Sequence, residues 1–329
     1  MINYYMKNCA FPVCVHCMTF NQSQFIVETM NGFSIQQTSF PFICCILDDA
    51  STDGEPVIIE EYLKEHFDLD DSATFQHNET KDYRMLFARH RTNENCYFAV
   101  YYLKYNHYSI KKTKEPYIEN WNGQAKYIAI CEGDDYWSDA SKLQKQYDVL
   151  ERNANISMCH HNYYELFEDG RRKLRETKIP QRQNLLSIAK ENKVQTLTMF
   201  FRNITPLIPD ELKGGTVYSQ FYAMRLAEIG DIYYVDEPLA VYRRNSSSTF
   251  GLQSPKRKFE MMISNLNNMV YWYTLNGRAE VVKVLKKRTE LLCIRYILHF
   301  LRRFQLNSVW LPTKCLLRTL KGNFGLSAL

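Results

Sequence analysis

The chain has 329 residues, of which 45% are hydrophobic and 23% are charged, close to the average composition of soluble globular domains. This composition excludes an intrinsically disordered chain, a collagen-like repeat and a small disulfide-stabilised scaffold. The net charge of +5 is unevenly distributed, because the residues from Lys256 onward carry 14 Lys or Arg and 3 Glu, whereas the preceding 255 residues carry 27 basic and 33 acidic side chains.

The first half of the chain alternates strand and helix patterns. Four short apolar runs predict buried strands, and the segments after the first two runs show apolar residues at helical spacing. The predicted strands are residues 11–18, 42–47, 99–103 and 126–131, and the predicted helices are residues 21–37 and 56–67. Apolar strands separated by helices indicate an α/β fold with a Rossmann-like, mostly parallel sheet flanked by helices. In such a sheet, ligands bind at the carboxyl ends of the strands.

The second half of the chain has a mixed pattern and ends in a helical, basic region. Helices are predicted at residues 141–153 and 218–229, strands at residues 156–164, 196–202 and 232–242, and further helix from about residue 254 onward. We therefore expect one domain over residues 1–250, which contains the sheet, and a helical basic C-terminal extension over residues 251–329.

The ten cysteines do not have the spacing of a disulfide framework. Cys14 and Cys17 form a CxxC motif, but no second pair follows at zinc-finger spacing. We expect buried thiols in a reducing compartment, with a structural zinc site as the alternative. The N-terminal segment lacks the features of a signal peptide, and no apolar stretch reaches the about 18 residues of a membrane-spanning helix. A cytoplasmic protein is expected.

The first acidic cluster directly follows the second predicted strand, at residues 48–54. Its short polar side chains favour a tight turn, which Gly54 can end with a positive φ. Asp48 and Asp49 would lie at the ligand edge of the sheet, where a carboxylate can accept hydrogen bonds from a base or a ribose. The alternative is a plain strand-to-helix connection with an N-cap.

The second acidic cluster follows the strand predicted at residues 126–131. Glu132, Asp134 and Asp135 place three carboxylates within four residues, and these repel one another unless a cation joins them. A hard divalent cation with oxygen ligands, Mg²⁺ or Mn²⁺, would neutralise them and bind substrate phosphate oxygens. Gly133 would let the backbone approach closely. A solvated acidic turn is the alternative interpretation.

Four segments of the sequence resemble the motifs of one enzyme family. They are CMTFNQ at residues 17–22, LDDASTDG at residues 47–54, CEGDDYW at residues 131–137 and SDASKLQKQ at residues 138–146. In this order and spacing they are similar to the family 2 glycosyltransferases of bacterial surface-glycan type, which adopt the A-type nucleotide-sugar transferase fold. The resemblance covers about residues 11–153 and continues more loosely to about residue 245.

The resemblance implies an inverting, metal-dependent transferase. It would move a sugar from a nucleoside-diphosphate-sugar donor to a hydroxyl of a glycan or a lipid-linked glycan. Asp49 would contact the nucleobase or ribose, in a pocket shaped by Thr19, Asn21 and Asp48. Asp134 would bind both nucleotide and metal, Asp135 would be the direct ligand of Mn²⁺ or Mg²⁺, and Glu132 would be the outer acid.

The sequence departs from the family pattern at two positions. Relatives commonly carry an acidic residue where Ser219 stands, so Asp210 and Glu211 become the candidates for the catalytic base. Asn245 stands where the family often has a metal-binding histidine, although an amide oxygen can also bind a hard cation. These departures support an alternative function, a non-catalytic nucleotide-sugar-binding partner subunit of a glycan-assembly system. A nucleoside-diphosphate hydrolase is a third hypothesis.

Further polar residues have weaker signals. His160 and His161 follow the start of a short predicted strand and are candidates for the acceptor pocket, with a core position as the alternative. Lys111, Lys112 and Lys114 form a basic run that would contact phosphate or form a solvated loop.

The helix predicted at residues 281–304 has an apolar face edged by Arg288, Arg295 and Arg302. Arginines in this position can reach anionic lipid headgroups while the apolar side is buried. We therefore expect an anionic membrane surface as a partner, at the inner face of the plasma membrane. The alternatives are a solvated basic face and a helix packed on the core of the protein. No nucleic-acid partner is expected, because the body of the chain is acidic.

Overall fold

The structure is a computed structural model that describes residues 11–123, 125–204, 208, 218–244 and 253–321. The chain forms two compact units. The first, called the sheet unit here, is Met1–Gln181, Gln195–Asn203 and Tyr233–Arg244. The second, called the helical unit, is Arg182–Val194, Ile204–Ile232 and Asn245–Leu329.

The sheet unit contains the predicted alternation of strands and helices. Its strands are β1 (Val13–Thr19), β2 (Phe42–Asp48), β3 (Phe67–Asp68), β4 (Gln76–Glu79), β5 (Tyr83–His90), β6 (Cys96–Leu103), β7 (Tyr127–Ile130), β8 (Tyr136–Trp137), β9 (Ile156–Phe167), β10 (Arg172–Leu174), β12 (Phe200–Arg202) and most of β13 (Asp231–Arg244). Its helices are α1 (Ile26–Ser34), α2 (Glu55–His66), α3 (Glu115–Asn122), α4 (Lys142–Arg152) and a 3₁₀ turn at Thr196–Thr198.

The strands form one mixed sheet whose centre is parallel. The order is β13-β9-β12-β7-β1-β2-β6-β5-β3, with β10 paired to β9, β4 paired to β5 and β8 paired to β13. The pairs β7–β1, β1–β2 and β2–β6 are parallel, whereas β6–β5, β7–β12 and β12–β9 are antiparallel. The predicted fold class, a mostly parallel α/β sheet flanked by helices, with a helical C-terminal region, is therefore confirmed.

The register of the central strands brings their carboxyl ends to one edge. Thr19 of β1 is paired with Asp48 of β2, and Asp48 is paired with Tyr102 of β6. All seven residues of β2 are buried, which explains why this strand reads as an uninterrupted apolar run up to its terminal carboxylate.

Three local features differ from the sequence-based expectation. Helix α1 begins at Ile26 rather than at residue 21, because Asn21 has a φ of 53° and the carbonyl of Gln22 accepts the amide of Phe25 in a turn. The strand expected at residues 196–202 divides into the 3₁₀ turn and β12. The antiparallel hairpin β4–β5 was not predicted, since β4 is the polar segment QHNE, without an apolar alternation.

The helical unit contains β11 (Arg182–Gln183), α5 (Leu185–Lys190), α6 (Tyr218–Ala227), α7 (Pro255–Leu275), α8 (Ala279–Arg302) and α9 (Leu306–Leu320). Helix α7 begins where the Ser254 side chain accepts the amide of Arg257 at 3.2 Å, and Pro255 occupies the first turn. In the described part of the chain, no helix is both long and apolar enough to cross a membrane. The nine cysteines within the described residues are free and buried, as expected.

Helix α1 packs tightly on the short strand β8. A Cβ atom at Gly32 would lie 2.7 Å from the carbonyl oxygen and 2.8 Å from the amide nitrogen of Trp137. The neighbouring Phe33 makes an edge-on contact with the Trp137 ring, at 4.9 Å between centroids. This close approach positions the residues that precede Trp137, which form the second acidic cluster.

We predict that Gly32→Ala destabilises the protein by about 1–3 kcal/mol, because the new methyl group collides with backbone that cannot move aside. An exposed helical glycine would instead gain up to about 1 kcal/mol on this change. Gly123, which follows α3 with a φ of −58° and has 3.5 Å of clearance, is the matched control. Chemical denaturation of both variants measures the difference, and equal stabilities would contradict the prediction.

Candidate functional site

The end of β1 holds both predicted acidic turns. The carbonyl of Thr19 accepts the amide of Asp49 at 3.0 Å, and the carbonyl of Met18 accepts the amide of Gly133 at 3.1 Å. The turn after β2 and the turn after β7 are thus attached to consecutive residues at the carboxyl edge of the sheet. The structure brings together two groups of acids that lie more than eighty residues apart in the sequence.

Gly133 allows the second turn to approach the first strand closely. A Cβ atom there would lie 2.3 Å from Thr19 Oγ1 and 2.4 Å from Gln22 Oε1, so only glycine fits without displacing these side chains. On the other side of the turn, the buried Thr29 Oγ1 lies 2.9 Å from the Gly133 carbonyl oxygen and 2.7 Å from that of Asp135. Sequence reasoning missed Thr29, since a threonine within a helix carries no functional signal.

The first turn is held by polar side chains from β1, from the residues directly after it, and from α2. Asn21 Oδ1 accepts the amide of Thr52 at 2.8 Å, and the Asn21 amide donates to Ser51 Oγ at 2.8 Å. The buried carboxylate of Glu55 accepts the Thr19 hydroxyl and, at 2.9 Å, the Gln22 amide. Gly54 has the expected positive φ, 91°. Thr19 and Asn21 therefore shape the turn, and Glu55 joins them without having been predicted.

Asp48 and Asp49 are both buried at the sheet edge. Asp48 Oδ1 accepts the Ser51 amide at 3.2 Å, and burial raises the pKa of Asp48 to about 6. Asp49 accepts the amides of His107 at 2.7 Å and Tyr108 at 3.1 Å.

Lys114 is the third partner of Asp49. Its Nζ lies 2.7 Å from Asp49 Oδ2, so this lysine of the basic run forms an ion pair rather than a solvated loop. The Lys114 side chain is 21% exposed, compared with 2% for Asp49, and is therefore the partner that a ligand can reach from solvent. Contact between Asp49 and a nucleobase stays a prediction.

The second turn concentrates negative charge. Burial, followed by the charge of Asp134, raises the pKa of Glu132 to about 7. Burial also raises the pKa of Asp134 and, together with the charges of Asp134 and Glu132, raises the pKa of Asp135 well above its ordinary value. Within the described ranges no lysine or arginine forms a salt bridge with Glu132 or Asp134. When its three carboxyl groups are ionised, the turn holds more negative charge than the described residues compensate.

Arg243, near the end of β13, fixes the second turn. Its amide donates to Asp135 Oδ1 at 2.8 Å, and its guanidinium donates to the Asp134 carbonyl at 2.6 Å. The guanidinium also pairs with Glu28 and lies 4.6 Å from the centre of the Tyr136 ring. Sequence reasoning did not assign Arg243, since it is one of two adjacent arginines at a strand end and nothing in the sequence distinguishes them.

The acidic turn fits a divalent metal only in part. Among the described residues, no three His, Cys, Asp or Glu side chains converge on one point that could hold a metal ion. Mg²⁺ is commonly bound through only one or two carboxylates, with substrate phosphates completing its shell. Asp134 and Asp135 supply two hard oxygen donors of this kind, so the donor set fits Mg²⁺ or Mn²⁺ together with a phosphate ligand.

The two candidates for the acceptor pocket lie within strand β9. His160 and His161 are buried in β9, each 1% exposed. Burial lowers the pKa of His161 well below its ordinary value, and its Nδ1 lies 2.6 Å from the Asn162 carbonyl oxygen. Their role in an acceptor pocket stays a prediction. The candidate base residues Asp210 and Glu211 and the candidate metal ligand Asn245 lie outside the described residues.

Lys142 is a buried cation close behind the second turn. Its Nζ lies 3.7 Å from the centre of the Trp137 ring and donates to Gln146 Oε1 at 2.7 Å. Burial lowers the pKa of Lys142 from 10.5 to about 7. The amino group therefore changes its charge near neutral pH while in contact with the aromatic side chain that ends the acidic motif.

Comparisons with known proteins give distant similarities. No family model matches the chain. Uncharacterized proteins of Mycobacterium bovis and Mycobacterium tuberculosis strain H37Rv are each 28% identical over 246 residues, which are 74% of this chain. The match spans 62% of the length of these relatives, which is less than two thirds.

Two solved structures are similar at low sequence identity. TarS 1–349 of S. aureus in complex with UDP-GlcNAc is similar over 95% of this chain and 92% of its own, with a TM-score of 0.49 and 16% identity. Mannosyltransferase PcManGT from Pyrobaculum calidifontis, in complex with GDP-Man and Mn²⁺, is similar over 99% of this chain and 82% of its own, with a TM-score of 0.49 and 13% identity. The fold class rests on the strand order of the chain itself.

We predict that Lys142→Met removes a pH dependence of stability between about pH 7 and pH 10.5. In this window the unfolded chain binds the proton and the folded chain does not, so the free energy of unfolding of the wild type rises with pH, by at most about 1.4 kcal/mol per pH unit. Denaturant titrations of both proteins at several pH values measure the difference. Lys145→Met, at a half-exposed position, is the control, and parallel profiles for wild type and Lys142→Met would refute the assignment.

Proposed function

We propose that the protein transfers a sugar from a nucleoside-diphosphate-sugar donor to a hydroxyl of a glycan or lipid-linked glycan acceptor. The observation that carries this proposal is the attachment of both acidic turns to Met18 and Thr19 at the carboxyl edge of the parallel strands. The resemblance of these turns to the signatures of family 2 glycosyltransferases supports the same function, as does the α/β sheet.

The donor nucleotide would bind over the end of β1 and the turn after β2. Asp48 and Asp49 are carboxylates at this edge, and an Asp oxygen can accept hydrogen bonds from a base N–H or a ribose hydroxyl. Because Lys114 pairs with Asp49 and reaches solvent, it can move from the carboxylate to the diphosphate when the donor arrives. Asn21 and Thr19 would keep the turn in shape during this exchange.

The diphosphate would lie against the second turn. A divalent cation held by Asp134 and Asp135 would neutralise the charge that develops on the departing nucleoside diphosphate. Arg243 would keep Asp135 oriented for this task, because its backbone amide donates to one of the carboxylate oxygens. Glu132 would act as the outer acid, and Asn245 would offer an amide oxygen.

An inverting transfer needs a base that takes the proton of the acceptor hydroxyl while its oxygen attacks the anomeric carbon from the face opposite the leaving group. Asp210 and Glu211 are the proposed candidates. A carboxylate serves here because it is ionised at neutral pH and accepts the proton as the new bond forms. His160 and His161 remain proposals for the acceptor side.

We predict that the protein binds one nucleoside diphosphate of the set UDP, GDP, dTDP and CDP in the presence of Mn²⁺ and binds it much more weakly without the metal. Isothermal titration calorimetry measures this dependence. Asp49→Ala and Asp135→Ala should each abolish the binding, whereas Asp169→Ala, at an exposed turn, should leave it unchanged. Absence of binding to all four nucleotides by the folded protein would contradict the proposal.

We predict that Asp135→Asn lowers the transfer rate by roughly 100-fold or more, since it removes a charged metal ligand. Asparagine keeps an oxygen that can accept the Arg243 amide, so the fold should persist, which thermal unfolding verifies. The assay measures sugar transferred to a glycan acceptor pool and free sugar released. Unchanged turnover in Asp135→Asn would contradict the proposal.

Two further outcomes separate the alternatives. Release of free sugar at a rate independent of acceptor would indicate a hydrolase. Metal-dependent nucleotide binding without any turnover would favour a non-catalytic partner subunit. If transfer occurs, Asp210→Asn and Glu211→Gln identify the base, because loss of the base lowers kcat and leaves nucleotide binding intact.

A further inference from the structure

Helix α8 of the helical unit exposes an apolar stripe. Its members are 43–57% exposed. They are Leu291, Ile294, Leu298 and Leu301. At about 100° per residue these positions fall on one side of the helix, opposite the buried Leu285, Thr289, Cys293 and Phe300. The helix is therefore packed through one face and presents a second apolar face to solvent.

Helix α9 repeats this arrangement. Its exposed apolar residues are Leu306, Trp310, Leu317 and Leu320, each 54–67% exposed. They share one side of the helix, and the buried Pro312, Cys315 and Thr319 lie on the other. An amphipathic helix of a globular protein normally buries its apolar stripe, whereas α9 exposes it. The two stripes together are called the apolar hairpin face here, and helices α8 and α9 pack against each other.

The connection between these helices adds an exposed aromatic residue. Phe304 is 89% exposed and has a φ of 55°, a left-handed conformation that is unfavourable for a side chain of its size. The Gln305 amide donates to the Phe300 carbonyl at 2.9 Å and closes this turn. Exposure of the large apolar ring to water is unfavourable, and insertion of the ring into an apolar phase would remove this cost.

The charged side chains within the segment that carries the apolar hairpin face have one sign. From Leu291 to Lys321 the sequence contains six Lys or Arg and no Asp or Glu. The cations are Arg295, Arg302, Arg303, Lys314, Arg318 and Lys321. Arg288 differs from the sequence-based expectation, because it is half-buried and its guanidinium donates to the Ala189 carbonyl at 3.4 Å. The exposed arginines of α8 on this face therefore begin at Arg295.

We propose that the apolar hairpin face docks on a bilayer that contains anionic phospholipid. Apolar side chains would enter the boundary between headgroups and acyl chains, and the surrounding cations would contact the lipid phosphates. A second copy of this chain fits the surface poorly, since an isologous contact would bring two sets of six cations together, and the nearest acidic residue in the sequence, Glu290, is already paired with Lys287 at 3.2 Å. The inference is independent of the proposed transfer reaction.

The first experiment is co-sedimentation of the full chain with two kinds of vesicle, phosphatidylcholine alone and phosphatidylcholine with about 30% phosphatidylglycerol. We expect binding to the anionic vesicles. Arg295→Gln/Arg302→Gln/Arg303→Gln should weaken it by roughly 100-fold. The control Lys64→Gln/Lys81→Gln/Lys178→Gln removes the same charge from exposed positions elsewhere and should weaken it far less. Equal losses in both triple variants, or failure of the wild type to bind, would overturn the proposal.

The second experiment uses Trp310 as a reporter. Trp121 and Trp137 are buried and Trp272 is half-buried, whereas Trp310 is 64% exposed. Anionic vesicles should shift the tryptophan emission to shorter wavelength and protect it from iodide quenching. Trp310→Phe should abolish the shift while the protein still sediments with the vesicles. A shift that persists in Trp310→Phe would place the contact elsewhere and refute the proposal.

Leu298→Ser/Leu317→Ser tests the apolar contribution. We expect at least about tenfold weaker vesicle binding with an unchanged thermal unfolding temperature, because both side chains are exposed and contribute little to the core. Light scattering measures the oligomeric state of the wild type and of this variant, and so tests the alternative that a second copy of the chain covers the face. A wild-type dimer that this variant dissociates, without vesicle binding by either protein, would assign the face to a second copy and overturn the membrane proposal.

Discussion

The carbonyl oxygens of Met18 and Thr19 accept the amides of Gly133 and Asp49, and the candidate site depends on these two hydrogen bonds. Each contributes only about 1 kcal/mol to stability, but leaving either buried group unpaired would cost about 1–3 kcal/mol. The bonds can form because β1 lies between β2 and β7 and all three strands are parallel, so the chain leaves them at the same edge. The close approach of the second turn to β1 also requires glycine at position 133, since any larger residue would displace Thr19 and Gln22.

The carboxylates of the second turn repel one another when they are ionised, and contacts with the rest of the sheet unit hold them close together. Three carboxylates share the turn, and the described part of the protein supplies one nearby guanidinium, that of Arg243. Arg243 donates from its backbone and its side chain while stacking on Tyr136, a combination that the planar guanidinium allows and a lysine would not. Thr29 restrains the same turn through two carbonyl oxygens. A turn held rigid against its own repulsion would be preorganised for the divalent cation that we propose.

The two buried basic side chains near the acidic motif, Arg243 and Lys142, have different partners. Arg243 pairs with Glu28 and holds the turn through its backbone amide and its guanidinium. Lys142 packs on Trp137 without a carboxylate partner among the described residues, and burial lowers its pKa to about 7. The stability of the part of the sheet unit around Trp137 is therefore linked to pH through Lys142.

The sequence by itself determined the fold class, the central strands and the two acidic turns. Buried parallel strands are apolar throughout, and the polar residues that end them mark the ligand edge, so a local pattern suffices. The same reasoning could not find Thr29, Glu55 or Arg243, because each acts through contacts with segments distant in the sequence. Nor could it place Asp49 against Lys114, or decide that α8 and α9 expose their apolar stripes while Arg288 turns inward. Periodicity shows that a helix has an apolar face, but only tertiary packing decides whether that face is covered.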